Sequence, residues 1–256
     1  MNFSSRIAKV YQRHGTKHIL PFIGASYESR TPDAFRLAVV GLNAYISNGD
    51  WPTRDQTLRD WYHGWWANAG HAKTYRFFSI AYREVSRLAE ALSSSSRLFA
   101  GLKYDGSPEQ KSGVYATNAI KVFLGEDHKT SGNLTPEDFG RYAPDWHEEL
   151  DLMAEHRVLP QLIVVLGRQI WDLMWGAFYP EKPYLVRYRN FKVAEYETCG
   201  DADGSCYHFA NRITVELGAR RHVMLVVRIS HPSTPWDDRR SDWLLAQPDF
   251  RQLAKL

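Results

Sequence analysis

The sequence predicts an α/β fold: three layers, α/β/α, around a central, mostly parallel, four-stranded sheet. Short and nearly all-apolar runs recur at 35–42 (FRLAVVGL), 161–166 (QLIVVL) and 222–229 (HVMLVVRI), with a further strand beginning 113–122 (GVYATNAIKV). Helical stretches alternate with these runs, and the runs lack the polar alternation of a sheet with one wet face, so helices must cover both faces. Hydrophobic residues at 44% against 24% charged supply a sizeable core, and 256 residues suit a single domain, 1–256.

Each element has a local reason. The first strand ends at Gly41 and a turn. Over 71–92, Phe77, Phe78, Ala81, Val85, Leu88, Ala89 and Leu92 fall at helical spacing and predict an amphipathic helix. Thr135, Pro136, Glu137 and Asp138 supply an N-cap, a first-turn proline and two acids for a helix running to about His156. Gly167 turns the third strand into a helix over 168–175, and Ser230 to Ser233 close the fourth strand. The last helix is expected over about 238–253. Between the third and fourth strands, 182–217 reads as an inserted hairpin with its tip at Cys199 to Cys206. No linker divides the chain.

Composition narrows the chemistry. The mean hydropathy is −0.45, and the longest uncharged apolar stretch, 158–167, falls far short of the ~20 residues a spanning helix needs, so no membrane association is expected. The amino terminus lacks the apolar core of a signal peptide, which points to a cytoplasmic, intracellular protein. Two cysteines exclude a disulfide framework and any four-cysteine cluster. Cys199 and Cys206, with Asp201 and His208, fit no common zinc spacing, so no metal and no cofactor are expected. No nucleophile elbow, phosphate loop, dinucleotide fingerprint or H-E-x-x-H motif is present. The amino-terminal segment, 1–20, carries Arg6, Lys9, Arg13, Lys17 and two histidines without an acid, and several of the nine tryptophans (Trp51, Trp61, Trp65, Trp66) cluster in the long connection 46–70. A basic arm with interleaved aromatics suits DNA, duplex or single-stranded. The plainer reading has tryptophans filling a core and lysines solvating a frayed terminus.

In a parallel α/β sheet the ligand sits at the carboxyl ends of the strands. That rule selects 41–45, 117–121, 167–168 and 231–236. In order, these segments resemble the uracil-DNA glycosylase superfamily. Gly41-Leu42-Asn43-Ala44-Tyr45 is similar to that family's first motif, a hybrid of its G-Q-D-P-Y and G-[IM]-N-P-G forms, and His231-Pro232-Ser233 is similar to its last. Thr117-Asn118-Ala119-Ile120-Lys121 resembles its T-N-x-x-K segment. The stretch 159–167 (LPQLIVVLG) resembles its P-x-x-I-V-x-L-G strand, and 21–28 (PFIGASYE) its P-F-x-G-x-x-Y loop. The match spans about 20–236.

The resemblance implies a monofunctional DNA glycosylase. Such an enzyme flips a pyrimidine from the stack and hydrolyses its N-glycosidic bond, leaving an abasic site for base-excision repair. His231 would hydrogen-bond the base carbonyl where negative charge develops, as an oxyanion-hole donor does. Asn118, with one acceptor and two donors in a plane, would read the edge of the flipped base. Asn43 would orient the water, though an amide cannot take its proton. Tyr45 would pack against C5 of the base and reject a methyl group. Ser233, Trp236, Arg239 and Arg240 would contact DNA, Trp236 as a wedge and the arginines on phosphates. Plainer roles stand beside these: Asn43 as a turn residue, Asn118 as a helix cap, His231 as a surface histidine, and Tyr45 and Trp236 as packing. The long connection and the hairpin would widen or lid the pocket, which keeps a bulky modified base of foreign (phage) DNA open as substrate. Asn43 and Ala44, in place of the more reactive Asp and the turn-fixing Pro, keep open a catalytically silent binder of damaged or single-stranded DNA. A monomer is expected.

Overall fold

The structure is a computed structural model that describes residues 1–13, 21–28, 35–41, 76–95, 113–119, 136–167, 171, 188–199, 209–231 and 240–254. Helix α1 (Phe3–Gln12) precedes the two-residue strand β1 (Phe22–Ile23), then β2 (Leu37–Gly41), α2 (Arg76–Ser95) and β3 (Val114–Asn118). Helix α3 (Pro136–Glu155) leads to β4 (Leu162–Leu166), followed by β5 (Lys192–Cys199), β6 (Ala210–Leu217) and β7 (Arg220–Ile229). Two short helices, α4 (Arg240–Ala246) and α5 (Pro248–Leu253), come last.

The fold is α/β, as the apolar runs predict. Strands β2, β3 and β4 are buried along their whole length, and β3, β2, β4 and β7 run parallel side by side. The sheet itself is larger than four strands and is mixed. Its order is β1-β3-β2-β4-β7-β6-β5, seven strands among the described residues, with β1, β6 and β5 joined by antiparallel pairing. Strand β1 adds one strand at one edge, and the expected inserted hairpin adds two at the other. Its two strands pair with each other, and β6 continues the sheet along β7 from Ala210↔Val227 to Leu217↔Arg220, so the hairpin is sheet rather than appendage. A two-stranded ribbon alone is marginal in water, and docking on β7 also covers an open edge.

Two helical expectations change as well. The amino-terminal segment is not a free basic arm over its first part. Phe3, Ile7, Val10 and Tyr11 share one face of α1 and are buried. Arg6 pairs with Glu155, and Arg13 with Asp145 and Glu148, all on α3, so two of its four cations are committed within the fold. The Glu28 carboxylate closes the start of α1, accepting from Phe3 N and Ser4 N at 3.0 Å each and from the Ser4 hydroxyl. The final helix is two helices, because Pro248 holds Gln247 in an extended conformation (ψ 124°) between them.

Strand β3 lies on one side of β2 and β4 on the other, so the chain crosses the sheet in opposite directions on leaving β2 and β3. Right-handed crossovers then set α2 and α3 on opposite faces. Helix α3 covers the face that carries Tyr115 and Thr117, whose hydroxyls donate to Glu149 at 2.6 and 3.3 Å. Helix α1 packs beside it, with the Phe3 ring 6.0 Å from Tyr115. On the other face α4 leans on α2, where the Glu84 carboxylate accepts from Ser241 N at 2.8 Å and from its hydroxyl at 2.6 Å. No helix among the described residues is long and apolar enough to cross a membrane.

Candidate functional site

The switch in connection direction falls between β2 and β4, which are direct neighbours. At such a point the loops leaving adjacent strands diverge and open a crevice beyond the carboxyl ends. Gly41 ends β2, and Gly167 follows the last residue of β4. The flanking strands end in Asn118 on β3 and, two residues past β7, in His231.

Both polar side chains lean inward. Side chains alternate along a strand, so with Tyr115 and Thr117 facing α3, Asn118 faces the other way. Its amide lies across the end of β2. A Cβ placed on Gly41 would meet Asn118 Oδ1 at 2.5 Å, and Asn118 is only 5% exposed. The ends of the two strands are also tied by the backbone, Ala119 N donating to Gly41 O at 2.7 Å. On the far side His231 lies across the end of β4, its Cβ 3.3 Å from where a Gly167 side chain would begin. Gly167 has φ 125°, a conformation that L side chains rarely adopt. Strands β3 and β7 are three spacings apart, about 14 Å, but each side chain crosses one strand inward. Asn118 thus lies against the glycine that ends β2 and His231 against the glycine that follows β4, on neighbouring strands.

Of the residues singled out from sequence, the structure places Asn118 and His231 at the carboxyl ends of the sheet, each beside a glycine of the two strands that flank the switch point. Asn43, Tyr45, Ser233, Trp236 and Arg239 lie outside the described residues, as do the tryptophans of 46–70 and the hairpin tip. Arg240 opens α4, and its side chain also lies outside the description.

Sequence reasoning missed three features near this end of the sheet. The first is the paired role of the glycines; only a turn was legible at each. The second is Glu149, fully buried beneath β3 with its carboxyl pushed well above the usual range by burial. An acid in the middle of an amphipathic helix carries no signal of its own burial. The third is Trp243 on α4, 55% exposed and edge-on to Phe209 at 5.3 Å between ring centroids. Phe209 is level with the end of β7, since its carbonyl accepts from Arg228 N at 2.8 Å, so the tryptophan stands near the same rim. The helical period around Leu244 was the signal that would have turned it outward.

The described residues hold no group of three or more His, Cys, Asp or Glu able to hold a metal ion. Cys199 ends β5 buried, its thiol pushed up to about 12 by burial and by the charge of Asp249, so it keeps its proton at neutral pH. No protein-family model matches the chain, and no curated protein matches it.

Proposed function

We propose that the protein is a monofunctional DNA glycosylase acting on a flipped pyrimidine, uracil or a modified one. The observation that carries this reading is that Asn118 and His231 each lie against a strand-end glycine beside the switch point of the sheet. A flat ring fits a floor without side chains. An amide on one side supplies the donors and acceptor for a pyrimidine edge, and an imidazole on the other supplies a hydrogen bond to a carbonyl oxygen.

The chemistry assigned to these groups is a hydrolysis. Water adds to the anomeric carbon of the sugar, the bond from that carbon to the base nitrogen breaks, and its electron pair leaves with the base. His231 stabilises the negative charge that gathers on the base oxygen, Asn118 holds the ring in register, and Asn43 orients the water. The departing base then takes a proton from solvent, and the water's proton is lost to solvent. Tyr45 limits the size of the C5 substituent. Exposed Trp243 suits stacking on an unpaired base of the same strand. Phosphate contacts are assigned to Arg239 and Arg240 from their place after the His231-Pro232-Ser233 motif, while Arg6 and Arg13 are held by acids of α3.

A base-excision assay tests the reading. Oligonucleotides carrying uracil, hydroxymethyluracil, hydroxymethylcytosine or its glucosylated form, paired and single-stranded, are incubated with the protein and cleaved with alkali. Breakage on one substrate is expected, abolished in Asn43→Ala with DNA affinity largely kept. Breakage only at the bulky bases would favour the foreign-DNA reading. Salt-sensitive binding with no abasic product from any base would replace the enzyme by a silent DNA binder.

A further inference from the structure

We propose that Gly41 is the positioning residue for Asn118, its missing side chain being the space in which the base-reading amide lies. This deepens the proposed glycosylase function and rests on it for the ligand, though not for the geometry. Gly41 is unlike Gly167 in one respect. Gly167 needs glycine for its backbone, whereas Gly41 is an ordinary extended residue at the end of β2, absent from the positive-φ positions. Nothing in its conformation asks for glycine, and a strand loses stability by carrying one. What asks for it is the neighbour. The Cβ of any other residue would stand 2.5 Å from Asn118 Oδ1 and 3.6 Å from its Cγ, while the nearest backbone atom, Thr117 O, is at an unstrained 3.8 Å.

A methyl group at position 41 therefore collides with the amide and with nothing else that matters. The amide is the movable party, because it ends a short side chain that can rotate, and β2 and β3 are fixed by pairing from Leu37↔Val114 to Gly41↔Asn118. Gly41→Ala should leave the sheet intact and turn the amide away from the crevice. A site built to hydrogen-bond its ligand loses far more from a misplaced donor than a greasy pocket loses from a missing methylene. The glycine accordingly sets which base edge is read without touching the base.

The experiment compares wild type, Gly41→Ala, Asn118→Ala and the double variant. Three quantities are read: the thermal midpoint, kcat/KM on the best excised base, and the Asn118 side-chain amide signal by NMR, assigned as the one missing from Asn118→Ala. Gly41→Ala is expected to keep the thermal midpoint, to shift that amide signal, and to lose about 100-fold in kcat/KM. Its loss should match that of Asn118→Ala, with no further loss in the double variant. An unmoved amide signal, activity within threefold of wild type, or losses that multiply in the double variant would overturn the assignment. Wild type that excises no base would sink the glycosylase reading alone, since the amide signal still decides whether Gly41 positions Asn118. Should Gly41→Ala not fold, the double variant lacks the obstructing amide and is expected to fold; its failure would place the clash in the backbone and overturn the inference.

Discussion

In the proposed hydrolysis Asn118 and His231 would do different work. The amide would bind ground state and transition state alike, because a pyrimidine edge keeps its donors and acceptors throughout. The imidazole would meet charge that exists only as the bond breaks. Replacing His231 by Ala should therefore lower kcat by about 10²–10³ with little change in KM, as for loss of an oxyanion donor. Steady-state kinetics on the excised base would check this, and a rise in KM at constant kcat would refute it. Trp243 stands outside the reacting centre. Trp243→Ala should weaken binding of single-stranded DNA by about 1–3 kcal/mol, one stacked base, read by fluorescence anisotropy at fixed salt. Its edge-on contact with Phe209 makes its loss cost about 1 kcal/mol of unfolding free energy as well.

Between residues and molecule stand the elements, two of which are started by acids borrowed from elsewhere in the chain. Glu28 closes the start of α1 from 25 and 24 residues away, and Glu84, fully buried on α2, receives both the amide and the hydroxyl of Ser241 at the start of α4. Helix α4 takes up the chain after the His231 loop, so Glu84 anchors the far end of that loop to the layer beside it. Glu84→Ala leaves two buried donors of Ser241 unmet and should cost about 3 kcal/mol by chemical denaturation, with faster amide exchange confined at first to 240–246. Equal exchange in the variant would show that α4 is held by packing alone. The same elements show what was legible in sequence. Runs such as Leu162–Leu166 are short, β-branched and apolar on both faces, which reads as a buried strand. The carboxyl-end rule then led from those strands to the segments 117–121 and 231–236, and the family resemblance within them to Asn118 and His231. Strand β5, KVAEYETC, has no such run; its place in the sheet is set by pairing with β6, which local sequence cannot express. Helix α1 was legible and missed: Phe3, Ile7, Val10 and Tyr11 keep helical spacing, but four cations drew the eye to charge. Pro248 likewise announced the break between α4 and α5.

Across the whole molecule, α3 carries two titratable groups that burial holds neutral, and they act in opposite senses. Burial pushes the His147 imidazole down to about 4, so the unfolded chain gains a proton there below 6.5 that the folded chain does not, and stability falls as pH drops through that range. Burial raises Glu149 well above 4.5, so the folded chain keeps a proton that the unfolded chain sheds, and stability falls as pH rises past 4.5. Between about 4.5 and 6.5 the two slopes oppose each other and cancel. Glu149→Gln still offers an oxygen to the Tyr115 hydroxyl but abolishes one slope. Relative to wild type its unfolding free energy should gain about 1.4 kcal/mol per pH unit above 4.5, until the native carboxyl ionises. Urea titrations at four pH values would measure it, and a pH-independent difference would show that Glu149 is charged in the folded protein.

The outer edge of the sheet has a consequence in concentrated solution. Strand β5 bears Glu195 and Glu197 on one side, offset by an irregularity between Val193 and Glu195. Two copies meeting edge to edge in antiparallel register about Tyr196 or Glu197 would set carboxylate against carboxylate, and the kinked backbone would interrupt the shared ladder. Natural sheets use this combination to discourage polymerisation through an exposed strand. Among the described residues β5 pairs only with β6, and its outer edge is thus a poor template for fibrils that crowding should leave unpaired.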